Sequence, residues 1–290
     1  MANGIIYLLT GAAHGVRLVV SLWSLRQHYR GPVTLFTTRR ASHVIAARCA
    51  ADRRLRVEHR VFENAPTGRN ADFLTKVAIL PHSPYEITAL VDADTLVSGD
   101  VSALFSLAET EGFCATQFAD WDTRKRVIRR RLESWRKVGR DKAERKHVNG
   151  LVDAALEGQP AVNSGVFAYR RGAEIVGRWQ DLAELGRSTF ICDEIALQLL
   201  LPHYPHKLLD CRYNCSPVYG IRQDDARIWH FHGERHVRDA RCRKIWLPAY
   251  QACLGEDVAG LARWTPGEDR RLAAWERRGG GMRDEGREVR

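Results

Sequence analysis

Ala89-Leu90-Val91-Asp92-Ala93-Asp94-Thr95 decides how the rest of the chain is read. The run from Ile87 to Val91 is apolar except for Thr88, the pattern of a strand buried on both faces. It stops at two carboxylates two residues apart. Open α/β sheets take ligands outside the carboxyl ends of their strands, so Asp92 and Asp94 are delivered to where a ligand would sit. Two carboxylates this close repel unless a cation lies between them. A divalent cation that also bridges to a diphosphate meets that need. Asp-x-Asp alone is common in turns, and the strand before it makes this one a metal candidate.

Strand and helix alternate on the amino-terminal side. Gly4 to Thr10 reads as strand, Val16 to Tyr29 as a largely buried helix, Val33 to Thr37 as strand, Ala41 to Ala51 as helix, Val57 to Phe62 as strand and Asp72 to Leu80 as helix. That order predicts an α/β fold, a mostly parallel sheet covered on both faces. Beyond Asp94 the expectations are a helix at Val101 to Leu107, a strand at Phe113 to Phe118, helices to about Glu157, and a strand at Ala161 to Tyr169. Helices at Ala173 to Leu185 and Asp193 to Leu201 follow, then a strand at Arg227 to His232. No internal repeat and no Gly/Ser-rich linker divides the chain, so one α/β domain over 1–265 is expected. Residues 266–290 would add a C-terminal helix and a tail; from Gly279 onward, Gly, Arg and Glu leave almost nothing to bury.

At 290 residues and 44 % hydrophobic, the chain can bury about three quarters of its unfolded surface without a disulfide or metal staple. The most apolar stretch, Ile5 to Leu25, is broken by Thr10, Gly11, His14 and Arg17, so neither a membrane span nor a secretory signal is expected. Seven cysteines include no Cys-x-x-Cys pair; the closest are Cys211 and Cys215. They read as reduced, packed thiols of a cytoplasmic protein.

The formal charge of +10 is concentrated in one place. Arg124 to His147 holds twelve basic residues against three acidic ones, a net +9, which leaves the rest of the chain at +1. Within this segment Ile128, Leu132, Trp135 and Val138 recur at helical spacing, which predicts an amphipathic basic helix. It is either a solvated face held by its apolar stripe or a docking surface for an anionic membrane, an acidic acceptor or phosphate. Nucleic acid fits less well, because no aromatic side chains that could stack on bases are interleaved with the charges.

Two further motifs carry chemistry. Thr10-Gly11-Ala12-Ala13-His14-Gly15 is a small-residue turn after the first strand, where a helix amino end can approach a phosphate. Arg17 stands where a nicotinamide-binding turn would have its last Gly, no Tyr-x-x-x-Lys pair follows, and the phosphate loop of nucleotide hydrolases is absent. Late in the chain, Ile228-Trp229-His230-Phe231-His232-Gly233 places two histidines at i and i+2, on one face of a strand. Imidazole suits Mn²⁺ or another transition metal better than Mg²⁺.

Leu74-Thr75-Lys76, Asp92-Ala93-Asp94, Asn163-Ser164-Gly165-Val166-Phe167, Asp193-Glu194 and His230-x-x-Gly233 occur in an order and spacing that resembles nucleotide-sugar glycosyltransferases of the GT-A fold, and family 8, the glycogenin-like enzymes, in particular. The resemblance covers roughly Ile5 to His236. It implies a single Rossmann-like mixed sheet flanked by helices, with the basic helical insertion at about 124–157 as an addition. It also implies metal-dependent transfer of a sugar from a nucleotide diphosphate, uridine-linked, to a glycan, lipid or protein acceptor, with retention of configuration. By the same resemblance Asp92, Asp94 and His230 would hold Mn²⁺ or Mg²⁺, and Asp92 would also touch the ribose. Leu9, Thr10, Lys76, Ala93, Asn163, Ser164, Gly165, Gly233 and His236 would contact the donor. Asp193 and Glu194 would stand near the reacting carbon, Asp193 as a hydrogen-bond partner of the sugar.

The chain departs from that pattern at two motifs and in the basic insertion before Asn163, which matches no signature of the family. Glu194 replaces a Gln, adding a charge. His236-Val237-Arg238 replaces the usual Lys-Pro-Trp, leaving Arg235, Arg238 or His236 to hold the diphosphate. Two rival readings remain at this point. A sugar-nucleotide pyrophosphorylase would share the sheet, but its Gly-x-Gly-Thr-Arg stretch is absent. A non-catalytic scaffold, peripheral at the inner membrane face and docked through its basic helix, would have no need of three convergent metal ligands.

Overall fold

A computed structural model describes residues 3–38, 43–119, 121–157, 160–218, 224–232 and 238–263. Four parallel strands open the chain: β1 (Asn3–Leu9), β2 (Val33–Thr38), β3 (Val57–Phe62) and β4 (Ile87–Val91). They are separated by α1 (Gly15–His28), α2 (His43–Ala51) and α3 (Ala71–Ala78). Every side chain of β2 and β4 is buried, as their unbroken apolar and threonine runs require between two helical layers. β5 (Thr95–Val97), α4 (Ser102–Glu111) and β6 (Phe113–Ala119) follow, then α5 (Trp121–Ser134), α6 (Lys142–Leu156) and β7 (Ala161–Arg170). The remainder is α7 (Glu174–Leu185), α8 (Cys192–Leu200), β8 (Lys207–Leu209), β9 (Ile228–His230) and α9 (Ala240–Gly255).

The sheet runs β3-β2-β1-β4-β7-β6-β8 and is mixed: β7 is antiparallel to both β4 and β6, and the other ladders are parallel. Its two faces carry two apolar cores. One lies beneath α1, α4 and α9, around Leu18, Leu22 and Trp246; the other lies beneath α3, α7 and α8, around Phe113, Phe167 and Trp179. The second core also seats the basic insertion. Ile128, Leu132, Trp135 and Val138 are all buried, but the expected single helix stops at Ser134: Trp135 lies in a 3-10 turn and Val138 is extended, and a Cβ at Gly186 would collide with the Trp135 ring. Asp141 caps α6, its carboxylate accepting from the backbone N–H groups of Ala143 and Glu144.

β5 pairs with β9 in a separate two-stranded ribbon that rests on α1. The Tyr7 and Ser21 hydroxyls are bonded at 3.1 Å, Ser21 and Thr95 at 2.7 Å, and the Thr95 hydroxyl donates to the Asp92 carbonyl at 2.8 Å. These bonds tie β1, α1 and the turn after β4 into one buried unit.

The late strand is shorter than expected. It ends at His230, because His232 adopts a left-handed backbone conformation with φ of 40°. Gly233, Arg235, His236 and the expected tail at 266–290 lie outside the described residues. All seven cysteines are buried and none forms a disulfide, and burial pushes the Cys49 and Cys215 thiols up to about 12. No described helix is long and apolar enough to cross a membrane.

Candidate functional site

The cavity begins where β4 ends. The Asp92 N–H donates to the Gly165 carbonyl at 2.8 Å, extending the β4–β7 ladder by one residue, so Asp92 stands beside Asn163-Ser164-Gly165. The ribbon supplies the third side. β5–β9 pairing sets Thr95 opposite His230, and the Phe231 N–H donates to the Asp94 carbonyl at 3.0 Å. As a result one oxygen each from Asp92 and Asp94 and a ring nitrogen of His230 lie within 4.8 Å of one another.

His230 is oriented from behind. Asn214 is fully buried and its amide nitrogen donates to the Thr116 hydroxyl at 3.0 Å and to Asn163 Oδ1 at 3.2 Å. Its own Oδ1 therefore accepts, and it lies 2.8 Å from His230 Nδ1. This network puts the proton on Nδ1 and turns Nε2 toward the carboxylates, 3.1 Å from Asp94 and 3.9 Å from Asp92. A Cβ at Gly165 would collide with the His230 ring, so this position has to be Gly for the imidazole to lie here. Two carboxylate oxygens and one imidazole nitrogen, already convergent, fit a divalent metal ion.

Charge is balanced tightly around this point. Burial opposes the charge on Lys76, but the carboxylates of Asp92 at 2.8 Å and Asp193 at 3.6 Å override it and raise the ammonium above the ordinary lysine range. Burial pulls both aspartates of the pair upward. For Asp92 it prevails over Lys76 and His230; for Asp94, His230 and Arg17 prevail and hold the carboxyl well below its ordinary value. Arg17 is itself buried, with Nη1 3.9 Å from Asp94. Asp193 accepts from the Ser164 hydroxyl at 2.7 Å through one oxygen; its other oxygen, Oδ1, is buried without a hydrogen-bond partner.

Glu194 accepts from the Asn163 amide on one oxygen and from Arg131 Nη1 at 3.2 Å on the other. Burial raises its carboxyl to about 7.

The cavity formed by these groups has a volume of about 890 Å³, at the upper end of the range for ligand pockets. Of the residues expected at the donor, Thr10, Lys76, Asp92, Ala93, Asp94, Asn163, Ser164, Asp193, Glu194 and His230 line it. Leu9 does not. It alternates to the opposite face of β1 and is fully buried in the core beneath α1, while its neighbour Leu8 lines the cavity. Arg238 is exposed and is not among the lining residues. His232 lines the cavity with its ring 3.9 Å from that of His230, but it does not join the three-ligand cluster.

Three site residues escape a sequence reading. Arg17 appears only as a missing glycine, Asn214 belongs to no motif, and Arg131 is one of twelve cations in its segment.

No protein-family model matches the sequence, and no curated protein sequence matches it. Solved structures do match. The galactosyltransferase LgtC, in complex with donor and acceptor sugar analogues, superposes with a TM-score of 0.58 at 12 % identity, over 92 % of this chain and 99 % of its own. The apo structure of the bifunctional glycosyltransferase WbbM gives 0.57 at 11 % identity over 86 % of this chain, which spans only 49 % of WbbM. Apo mouse xyloside xylosyltransferase 1 gives 0.53 at 14 % identity, over 80 % of this chain and 98 % of its own. What is shared at these identities is the fold, the GT-A fold of glycosyltransferases.

Proposed function

We propose that this chain is a divalent-metal-dependent glycosyltransferase, with residues 1–265 as its catalytic domain, that moves a sugar from a uridine diphosphate donor to a glycan, lipid or protein acceptor with retention of configuration. The observation that carries this reading is the convergence of Asp92, Asp94 and His230 at the carboxyl end of β4. They open into a cavity whose remaining polar lining suits a sugar diphosphate.

Mn²⁺ or Mg²⁺ held by those three residues would supply a Lewis acid for the departing diphosphate. The chain's own groups do the rest. Arg17, buried next to the metal ligands, is placed to face diphosphate charge, a task for which Arg238 is badly situated. Lys76 holds Asp92 and Asp193 in fixed relation. The unpartnered Oδ1 of Asp193 is a buried acceptor at the cavity wall and suits a sugar hydroxyl. Groups already paired and oriented before the donor arrives lower the cost of reaching the transition state.

The insertion contributes on the acceptor side. Arg126, Arg129, Arg130, Lys137, Lys142 and Lys146 are exposed and make no ion pair among the described residues. This face suits the anionic head groups of a membrane that carries or flanks the acceptor, which would place the protein peripherally at the inner membrane face. Binding to vesicles containing phosphatidylserine should fall with salt and disappear when Arg129 and Arg130 become Glu; salt-independent binding would end this part of the proposal.

Catalysis is tested by hydrolysis of uridine diphosphate sugars in the presence of Mn²⁺. Asp94→Ala is expected to abolish metal-dependent turnover, and unchanged turnover would remove the metal assignment.

A further inference from the structure

The basic insertion sends one side chain into the cavity. Arg131 on α5 reaches Glu194 on α8, with Nη1 3.2 Å from Oε1, and its guanidinium lies 5.6 Å from the ring centroid of Phe190. Phe190 also lines the cavity and is 68 % exposed, so the arginine sits between the rim and the interior. Glu194 is therefore held by a cation on one oxygen and by the Asn163 amide on the other. Both bonds require an acceptor there, and the cation favours a charged one.

The other charges facing Glu194 do not supply that cation. Asp193, the preceding residue on α8, repels it; Lys76 on α3 is already shared by Asp92 and Asp193. Arg17 faces Asp94. The Asn163 amide has little freedom to adapt, because its Oδ1 accepts from the Gly165 N–H at 2.9 Å and from Asn214 at 3.2 Å. If the amide turned over, both bonds would break.

We infer that Arg131 is a positioning residue, contributed by the insertion, that neutralises Glu194 so that this carboxylate and the Asn163 amide keep one orientation in the cavity wall. That the cavity receives a sugar donor rests on the glycosyltransferase reading; the pairing of Arg131 with Glu194 does not. Without Arg131, a buried and uncompensated carboxylate beside Asp193 must take up a proton or move, and moving it releases Asn163. Exchanging Glu194 for Gln in the same background removes the charge and keeps an acceptor for Asn163. The two substitutions should therefore be strongly non-additive.

The test compares the full chain with Arg131→Met, Glu194→Gln and the double variant. Thermal midpoints are measured from pH 5.5 to 8.5, and kcat for Mn²⁺-dependent hydrolysis of UDP-glucose and UDP-galactose is measured at pH 8.5. Arg131→Met should fall several degrees below wild type at pH 8.5 and recover toward pH 5.5, while the double variant shows no such slope. Turnover should drop about tenfold or more in Arg131→Met, and the double variant should turn over faster than Arg131→Met alone. If Arg131→Met fails to fold, folding of the double variant is the expected rescue and its failure overturns the inference. Equal midpoints for Arg131→Met and the double variant at pH 8.5 would also overturn it. If wild type hydrolyses neither sugar nucleotide, the glycosyltransferase reading is what suffers, and the midpoints still decide the pair.

Discussion

His230 can offer Nε2 to a cation because Asn214 Oδ1 accepts a hydrogen bond from Nδ1–H and so keeps the proton on that nitrogen. Partners of this kind typically contribute 10- to 100-fold to metal affinity, so Asn214→Leu should weaken Mn²⁺ binding by about that factor, measured as free Mn²⁺ by electron paramagnetic resonance. Asn214→Asp, which keeps the acceptor for Nδ1 but loses the donor to Asn163 Oδ1, should retain more of the affinity than Asn214→Leu. Glu194 makes a different prediction. Its carboxyl is raised by burial from an ordinary 4.5 to about 7, so the folded state binds a proton that the unfolded chain has lost. Such a group adds stability below about pH 4.5 and withdraws it as pH rises to about 7. The change is on the order of 3 kcal/mol at most, and Glu194→Gln should flatten the wild-type urea stability profile between pH 4.5 and 8 accordingly. Asp92, Asp94 and His230 are legible in the sequence because strand patterns precede two of them and lead into the third. Asn214 is not legible, because an amide acting behind a ligand leaves no spacing to read.

Among the elements, those long enough to show a period are the ones the sequence reveals. Ile87–Val91 and Val57–Phe62 are strands with the expected bounds, and the stripe from Ile128 to Val138 is buried as read. β5 and β8 span three residues each, too few to display alternation, and α9 continues through Pro248, a residue that normally marks a helix boundary. Missing β5 matters most, because the β5–β9 ribbon is what carries His230 to Asp94. The seating of the insertion is open to direct test. Leu132 is fully buried on α5, one residue from Arg131, so Leu132→Ala should cost about 2–5 kcal/mol in urea unfolding. If the insertion were only a loosely attached surface helix, the loss would be well under 1 kcal/mol.

For the whole molecule, a formal +10 at first suggests a polyanion partner for the entire protein. The fold divides that charge into an exposed basic face on α5 and α6 and a nearly neutral remainder that holds the cavity, with Arg131 the one cation of the insertion among the described lining residues. The α/β class and the position of the site at the sheet's carboxyl edge follow from the order of periods along the chain. The reversal of β7 depends on pairing between distant segments and cannot be read locally. The central claim is a nucleotide-sugar site completed by a metal, and it is tested most directly by thermal denaturation with nucleoside diphosphates and their sugars, each with and without Mn²⁺. A ligand at a hundred times its dissociation constant adds about 2.7 kcal/mol. The account predicts that a uridine diphosphate sugar stabilises the protein by this order only when Mn²⁺ is present, and that Asp94→Ala abolishes the effect. Stabilisation that is indifferent to Mn²⁺, or none by any nucleotide, would contradict it.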